Sequence, residues 1–154
     1  MSFQQTIDSP LGPIALVSDG NALISLTIGT RAPVSSPDPI TQTTASQLAE
    51  YFAGKRQEFD LPLAARGTVF QESVWKALRD IPFGHSRSYG ELGTSAGKPG
   101  AARAVGSAVG ANPIPIVIPC HRVLASDGKI TGYSGGDGIP TKQKLLALEG
   151  ITYR

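Results

Sequence analysis

The chain of 154 residues contains one cysteine, Cys120, and two histidines, His85 and His121. A single cysteine excludes an internal disulfide and every zinc site that needs two or more cysteine ligands. We therefore expect no metal, no cofactor and a reducing, cytoplasmic compartment. No apolar run approaches the length of a membrane span, and Met1 to Gln5 lack the basic and apolar regions of a secretory signal. These features predict a protein without membrane attachment.

The sequence also lacks a strong net charge, which is only +2, but the charge is unevenly distributed. Residues 1–65 carry three basic and six acidic side chains, whereas residues 66–154 carry eleven basic and six acidic ones. The positive second part is consistent with a polyanion partner or with a solvated basic surface, and charge alone does not decide between them. The composition is 40% hydrophobic, which is enough for a folded core.

The first part of the chain has the pattern of a small layered α+β unit. Alternating apolar residues and turn residues predict an antiparallel meander of three strands over 2–7, 13–18 and 22–28. A proline-containing loop over 31–40 precedes a predicted helix, Thr41 to Phe52, and a short extended piece follows at 58–63. No residue in 1–65 is predicted to carry chemistry, so we interpret this unit as a support domain.

The second part, residues 66–154, is predicted to be mainly helical. Two capping boxes, Thr68 with Gln71 and Ser88 with Glu91, mark the starts of two helices. The first helix should bury apolar residues at helical spacing: Phe70, Val74, Trp75 and Leu78. A hairpin turn is predicted at 125–129, and a last helix, 141–149, should turn Leu145, Leu146 and Leu148 inward.

A third helix is predicted over 101–110, after a glycine-containing break at 97–100. Helix, break and helix in this order are typical of a helix-turn-helix unit. Small residues occupy nearly every position of this helix, and each internal glycine costs about 1 kcal/mol relative to alanine. Close approach of another helix or of a nucleic-acid backbone would offset that cost, and the sequence leaves both open. Arg103 is its one long side chain.

The segment from Asn112 to Val123 is the one most suggestive of chemistry. Three prolines stiffen its approach to Cys120, which His121 and Arg122 follow directly. Cationic neighbours favour the reactive thiolate, so this pattern indicates a nucleophile, although a lone cysteine also occurs as a small buried apolar residue. Adjacent residues do not face each other, so we expect a water to link the two side chains. Glu149 lies at the C-terminal end of the predicted last helix, where a carboxylate interacts unfavourably with the helix dipole. Orienting the imidazole of His121 would be one reason for a carboxylate there.

Together these residues resemble the O6-alkylguanine-DNA alkyltransferases, over roughly 70–150. The strongest matches are Pro119-Cys120-His121-Arg122-Val123, preceded by Asn112-Pro113, and Tyr133-Ser134-Gly135-Gly136. The resemblance implies an RNase-H-like α/β domain over 1–65, followed by a winged-helix or helix-turn-helix-like domain over 66–154. It implies a monomer, without an obligate protein partner, that acts on double-stranded DNA bearing O6-alkylguanine. Activity on O4-alkylthymine stays open.

The resemblance also implies roles for individual residues. Cys120 would accept the alkyl group, with His121 as base, Glu149 holding His121, and Tyr133 donating a proton to the leaving base. Tyr89 and Arg103 would handle the flipped nucleotide, and Ala102 and Ser107 would face the DNA. The implied substrate pocket comprises Asn112, Pro115, Val123, Ser134 and Gly135.

Two rival functions fit some of the same residues. A cysteine hydrolase would use Cys120, His121 and Glu149 as a triad with many turnovers, and a DNA-binding module would need no nucleophile. We also predict that Gly135 and Gly136 leave room for alkyl groups larger than methyl, including benzyl.

Overall fold

The computed structural model describes residues 2–154. Its elements, in chain order, are β1 (Phe3–Ile7), β2 (Ile14–Ser18), β3 (Leu23–Ile28), α1 (Pro39–Phe52), α2 (Val69–Arg79), β4 (Arg87–Ser88), α3 (Tyr89–Ser95), α4 (Ala102–Gly110), a 3-10 turn (Cys120–Arg122), β5 (Val123–Leu124) and α5 (Ile139–Glu149). Within the described residues, no helix has the length and apolar character needed to cross a membrane.

The predicted antiparallel meander is confirmed. β1 pairs with β2 from Phe3 opposite Ser18 to Ile7 opposite Ile14, and β2 pairs with β3 on its other edge. α1 packs against this sheet and begins two residues earlier than predicted, because Pro39 takes its first position and Asp38 caps it by accepting from the Thr41 amide. The predicted extended piece at 58–63 forms no strand, only a bridge between Leu23 and Leu63.

Helices α2, α3 and α4 form a second layer in which α2 contacts both of the others. Both predicted capping boxes are present, at Thr68 and Ser88. Val74, Trp75 and Leu78 are buried as expected, whereas Phe70 is only partly buried. The Trp75 indole donates a hydrogen bond of 2.8 Å to the Ala108 carbonyl, which fixes α2 against α4.

Gly93 of α3 is packed more tightly than the glycines of α4. A Cβ at Gly93 would lie 3.0 Å from the Lys98 carbonyl oxygen and 3.1 Å from Val105. Gly93→Ala is therefore expected to lower the free energy of unfolding by about 1–3 kcal/mol in thermal or denaturant unfolding. Gly110→Ala is the matched control, since nothing lies within 4 Å of its Cβ and alanine favours the helix. Equal effects of the two changes would contradict this packing.

The C-terminal elements close the fold around the segment that carries Cys120. β5 follows the 3-10 turn and pairs in parallel with β4. The predicted turn at 125–129 forms and is closed by a hydrogen bond from the Ala125 amide to the Lys129 carbonyl, although the described residues after it form no strand. α5 begins at Ile139, and Leu145 and Leu146 are buried. The prediction for Leu148 was wrong: its side chain is 36% exposed, because it lies on the outer face of α5.

One hydrophobic core joins the sheet and the helices. It includes strand residues such as Leu16 and Leu26, helix residues such as Leu48 and Val105, and Ile114, Ile116 and Ile118 from the segment before Cys120. A backbone hydrogen bond from the Leu26 amide to the Pro113 carbonyl fastens that segment to β3. The sheet thus directly supports the approach to the cysteine.

Candidate active site

The segment before Cys120 is held in one shape by Asn112. The Asn112 amide group donates to the Ile118 carbonyl at 2.8 Å, and its oxygen accepts from the Ile114 amide at 3.0 Å. Ile116, inside this loop, has φ of 74°, which is unfavourable for a β-branched residue and is tolerated because the surrounding contacts fix it. The prolines and the two hydrogen bonds of Asn112 therefore restrict the backbone of this segment and fix the position of Cys120 at the start of the 3-10 turn.

His121, the residue after the cysteine, forms a buried pair with Glu149. His121 Nε2 lies 2.6 Å from Glu149 Oε2, and both side chains have no exposed surface. Because an ionised carboxylate can only accept, Nε2 carries the proton and Nδ1 carries the free lone pair. Nδ1 is buried and has no hydrogen-bond partner within residues 2–154, and so none on Cys120. This is the tautomer that a proton acceptor requires.

Glu149 is ionised because it accepts hydrogen bonds from several donors. Arg122 donates to both carboxylate oxygens, at 2.7 and 3.1 Å, and the Tyr51 hydroxyl donates to Oε2 at 2.6 Å. The Gly84 amide donates to Oε1 at 3.3 Å. Burial alone would raise the pKa of Glu149, but the combined interactions with His121, Arg122 and Tyr51 lower it to about 2. Burial in turn lowers the pKa of His121, so the imidazole is neutral at neutral pH.

The Cys120 thiol is 3% exposed, and burial raises its pKa. The side chains of Asn112 and Tyr133 and the charge of Lys142 act in the opposite direction. The Tyr133 hydroxyl is buried next to the thiol but has no hydrogen-bond partner of normal geometry in the described part of the chain. In the described part of the chain, the thiol therefore lies beside a hydroxyl that lacks a normal hydrogen bond, and the next residue carries an imidazole nitrogen without a partner.

Lys142 is a buried cation that links the segments on either side of the thiol. Its ammonium group donates to the Val123 carbonyl at 2.7 Å and to the Gly132 carbonyl at 3.2 Å. Burial lowers its pKa to about 8, against a smaller opposing effect of Cys120. Lys142 therefore ties the strand after the cysteine to the loop that carries Tyr133.

A cleft of about 330 Å³ opens above Cys120. Its lining includes Tyr89, Gly106 and Val109 from α3 and α4, and Thr131, Tyr133 and Ser134 from the loop opposite. The Tyr89 hydroxyl and the Thr131 hydroxyl are 2.9 Å apart and so connect the two walls. Of the predicted pocket residues, only Ser134 is in this lining; Asn112, Pro115, Val123 and Gly135 are not.

The absence of a side chain at Gly135 and Gly136 is explained by close packing and not by a wider pocket. A Cβ at Gly135 would lie 2.9 Å from the Tyr133 ring, and one at Gly136 would lie 2.6 Å from the Thr141 hydroxyl. Both would also crowd Ile28 of β3. These glycines therefore let the loop pack on the sheet and leave Tyr133 in place, so room for larger alkyl groups depends on the cleft itself.

The outer face of α4 borders the cleft and consists of small residues. Ala102, Arg103 and Ser107 are all exposed on it. Gly106 and Gly110 are not required by packing within the described chain, because a Cβ at Gly106 would make ordinary contact with Tyr89 at 3.9 Å and one at Gly110 would meet nothing within 4 Å. Packing among the described residues thus does not account for the glycines of α4.

Sequence reasoning missed three residues that contact the central pair or its surroundings: Tyr51, Arg122 and Lys142. Arg122 was treated only as a neighbour of the thiol, yet its guanidinium ion-pairs with Glu149 and donates to the Ile81 carbonyl at 2.6 Å. Residues 1–65, interpreted as a support domain, nevertheless reach this network, because the Tyr51 hydroxyl from α1 donates to Glu149 across 98 positions of sequence. No local pattern marks such a contact.

Within residues 2–154, no group of three or more histidine, cysteine, aspartate or glutamate side chains is arranged to hold a metal ion. The fold and the site define a protein in which two packed helices, α3 and α4, accompany a buried cysteine that is followed by a histidine paired with a glutamate.

Two family models match consecutive parts of the chain. The model of the 6-O-methylguanine DNA methyltransferase ribonuclease-like domain matches residues 3–65, and that of the DNA-binding domain matches residues 69–151. The chain therefore belongs to the 6-O-methylguanine DNA methyltransferase family, as the sequence resemblance predicted.

Relatives of similar length support the same assignment. A methylated-DNA–protein-cysteine methyltransferase of Mycobacterium tuberculosis is 51% identical over 97% of this chain and 93% of its own. One from Methanosarcina barkeri is 47% identical over 96% of both chains. The crystal structure of M. tuberculosis OGT in complex with DNA has a TM-score of 0.86 and 51% identity over 96% of this chain and 92% of its own.

Proposed function

We propose that the chain repairs DNA by direct reversal, through irreversible transfer of an alkyl group from O6 of alkylguanine to Sγ of Cys120. The observation that carries the proposal is His121 Nδ1, which has no partner in the described residues and is held by Glu149 in the accepting tautomer, on the residue directly after a buried cysteine. An alkyl carbon bound to oxygen is attacked best by a thiolate, and this thiol needs a base because burial raises its pKa.

In the proposed reaction, His121 Nδ1 accepts the thiol proton, through a bridging water, as the thiolate attacks the alkyl carbon. The new Sγ–carbon bond forms as the carbon–O6 bond breaks, and the electron pair of that bond passes to the purine. Tyr133 donates its proton to N3 of the leaving guanine, since its hydroxyl is buried next to the thiol and makes no hydrogen bond of normal geometry in the described residues. The product thioether is stable, so each molecule acts once.

DNA would bind along the small-residue face of α4, with the lesion flipped into the cleft. Few long polar side chains stand on this face, so contacts would be mainly to the backbone and nearly independent of sequence. Arg103 would occupy the space left in the base stack, while Tyr89, at the cleft wall, would act on the adjacent phosphate. The second part of the chain carries the excess of basic residues that such a partner requires.

The substrate and assembly belong to the same proposal. The damaged base is O6-alkylguanine in double-stranded DNA, and the protein acts as a monomer in the cytoplasm without a cofactor. Residues 1–65 form the supporting unit and residues 66–154 the DNA-binding and acceptor unit. The supporting unit contributes to the site through Tyr51.

The test is intact-protein mass spectrometry after mixing with a duplex that contains O6-methylguanine. The wild type is expected to gain one methyl group and then stop, while Cys120→Ala gains none and still binds the duplex. Peptide mapping should place the methyl group on Cys120.

Two other results would overturn the proposal. Repeated turnover of ester or amide substrates without a lasting mass gain would favour a cysteine hydrolase. DNA binding by both proteins with no mass gain in either would favour a lesion-binding protein with a structural cysteine.

A further inference from the structure

We propose that Tyr51 is a positioning residue for alkyl transfer: its hydroxyl competes with the His121 imidazole for one oxygen of Glu149 and so limits how strongly that carboxylate supports the base. The inference rests on the proposed function. It assigns the ribonuclease-like part of the chain a direct effect on the reaction, in addition to support.

The geometry places three donors on Oε2 of Glu149, of which the Arg122 guanidinium, at 3.1 Å, is the most distant. Tyr51 OH and His121 Nε2 each lie 2.6 Å from Oε2 of Glu149, and all three side chains are buried. Burial and the negative charge of Glu149 raise the pKa of Tyr51, so its hydroxyl stays protonated and remains a donor. A short hydrogen bond to a carboxylate is among the stronger neutral-to-charged contacts.

The Tyr51 ring is fixed by its surroundings. Its centroid lies 5.3 Å from that of Phe52, 5.5 Å from Phe59 and 6.3 Å from Phe83. Tyr51 itself has no exposed surface and stands on the last turn of α1. The aromatic cluster therefore holds the hydroxyl on Glu149, and loss of that hydroxyl would leave the ring packing intact.

The charged and titratable groups around His121 all come from the turn at Cys120 and from α1 and α5. Glu149 stabilises the imidazolium, whereas the positive charges of Arg122 and Lys142 oppose it. Each hydrogen bond donated to Glu149 withdraws negative charge from the oxygen that faces His121. Without the Tyr51 hydroxyl, Oε2 would stabilise the imidazolium more strongly, so the pKa of His121 would rise.

The experiment compares wild type with Tyr51→Phe in the pH dependence of methyl transfer from duplex DNA. Transfer requires neutral His121, so its rate falls on the acid side as the imidazole is protonated. Tyr51→Phe is expected to move the midpoint of this acid limb upward by about half a pH unit or more, with little change of the plateau rate. Site-specific 3-fluorotyrosine at position 51, a stronger donor of nearly the same shape, should move the limb downward.

Tyr153→Phe is the matched control, because it removes the same hydroxyl from an exposed tyrosine that makes no hydrogen bond to Glu149. It should leave the acid limb where it is in wild type. Equal acid limbs in wild type, Tyr51→Phe and the fluorotyrosine protein would overturn the inference, as would an equal shift in Tyr153→Phe.

Titration of the His121 ring by NMR provides a readout that does not depend on transfer. A higher His121 pKa in Tyr51→Phe supports the inference, and an unchanged pKa overturns it. If wild type fails to accept a methyl group, the proposed function fails, but this titration still reports on Tyr51. The two failures are therefore distinguishable.

Discussion

Glu149→Gln is expected to slow methyl transfer by about 10²- to 10³-fold. Both carboxylate oxygens accept hydrogen bonds, so the amide NH₂ of glutamine must face a donor in either orientation. At the Oε2 position it would also invert the His121 tautomer, placing the proton on Nδ1 and removing the base. Single-turnover transfer from duplex DNA measures the effect. A rate within threefold of wild type would exclude the proposed role of Glu149.

The same substitution changes stability in a defined pH window. Because folding lowers the pKa of Glu149 from 4.5 to about 2, its contribution is fully present above pH 4.5 and is lost as pH falls toward 2. Glu149→Gln leaves Arg122 buried without its anion and should cost about 3 kcal/mol at neutral pH. Between pH 4.5 and about pH 2, the variant should also lack the decrease in the free energy of unfolding that wild type shows.

Glu50→Gln serves as the control for stability. Glu50 forms an ion pair with Arg56 at the surface, where such pairs contribute about 0–1 kcal/mol. Denaturant unfolding from pH 2.5 to 7 should separate the two variants. Parallel stability curves for Glu149→Gln and wild type would show that the buried network does not stabilise the fold.

Arg103→Ala is expected to slow transfer from duplex DNA by about ten- to a hundredfold, because an unstacked lesion costs a few kcal/mol and Arg103 would offset part of it. The side chain is exposed on α4, away from the buried network. Transfer from a free O6-alkylguanine base, which needs no flipping, should keep its wild-type rate. The measurement is the ratio of the two rates.

Lys144→Ala is the matched control for charge, because Lys144 is also exposed but lies on α5. Both changes remove one positive charge, so both weaken long-range attraction to DNA to a similar degree. Only Arg103→Ala should change the ratio of duplex to free-base rates. A similar ratio in both variants would assign Arg103 to general electrostatics.

Local signals in the sequence predicted most of the elements. The capping boxes at Thr68 and Ser88 and the alternation of β2 correspond to real structures, because these patterns involve neighbours in sequence. The start of α1 was placed two residues late because the Asp38 cap was not recognised. The turn expected at 125–129 also depends on neighbours in sequence and forms, whereas the parallel pairing of β5 with β4 was not predicted, because the two strands are distant in sequence.

The pair of His121 and Glu149 was predicted from the misplaced charge of Glu149 and from the family resemblance. Its other partners were not predicted, because each is fixed by tertiary packing. Arg122 and Lys142 are cations, which usually stay exposed, and only the fold reveals that carbonyl or carboxylate oxygens compensate their burial. Tyr51 resembles an ordinary core aromatic residue on α1 until Glu149 is placed against it.

The indole of Trp75, hydrogen-bonded to the Ala108 carbonyl of α4, is the one tryptophan of the sequence. Its fluorescence therefore originates from a single place, the contact between α2 and the helix proposed to face DNA. The ring is 4% exposed, so any movement of α4 that wets it or breaks its hydrogen bond would shift its emission to longer wavelength. The protein thus carries a natural optical probe, with which docking of DNA can be followed in real time without a label.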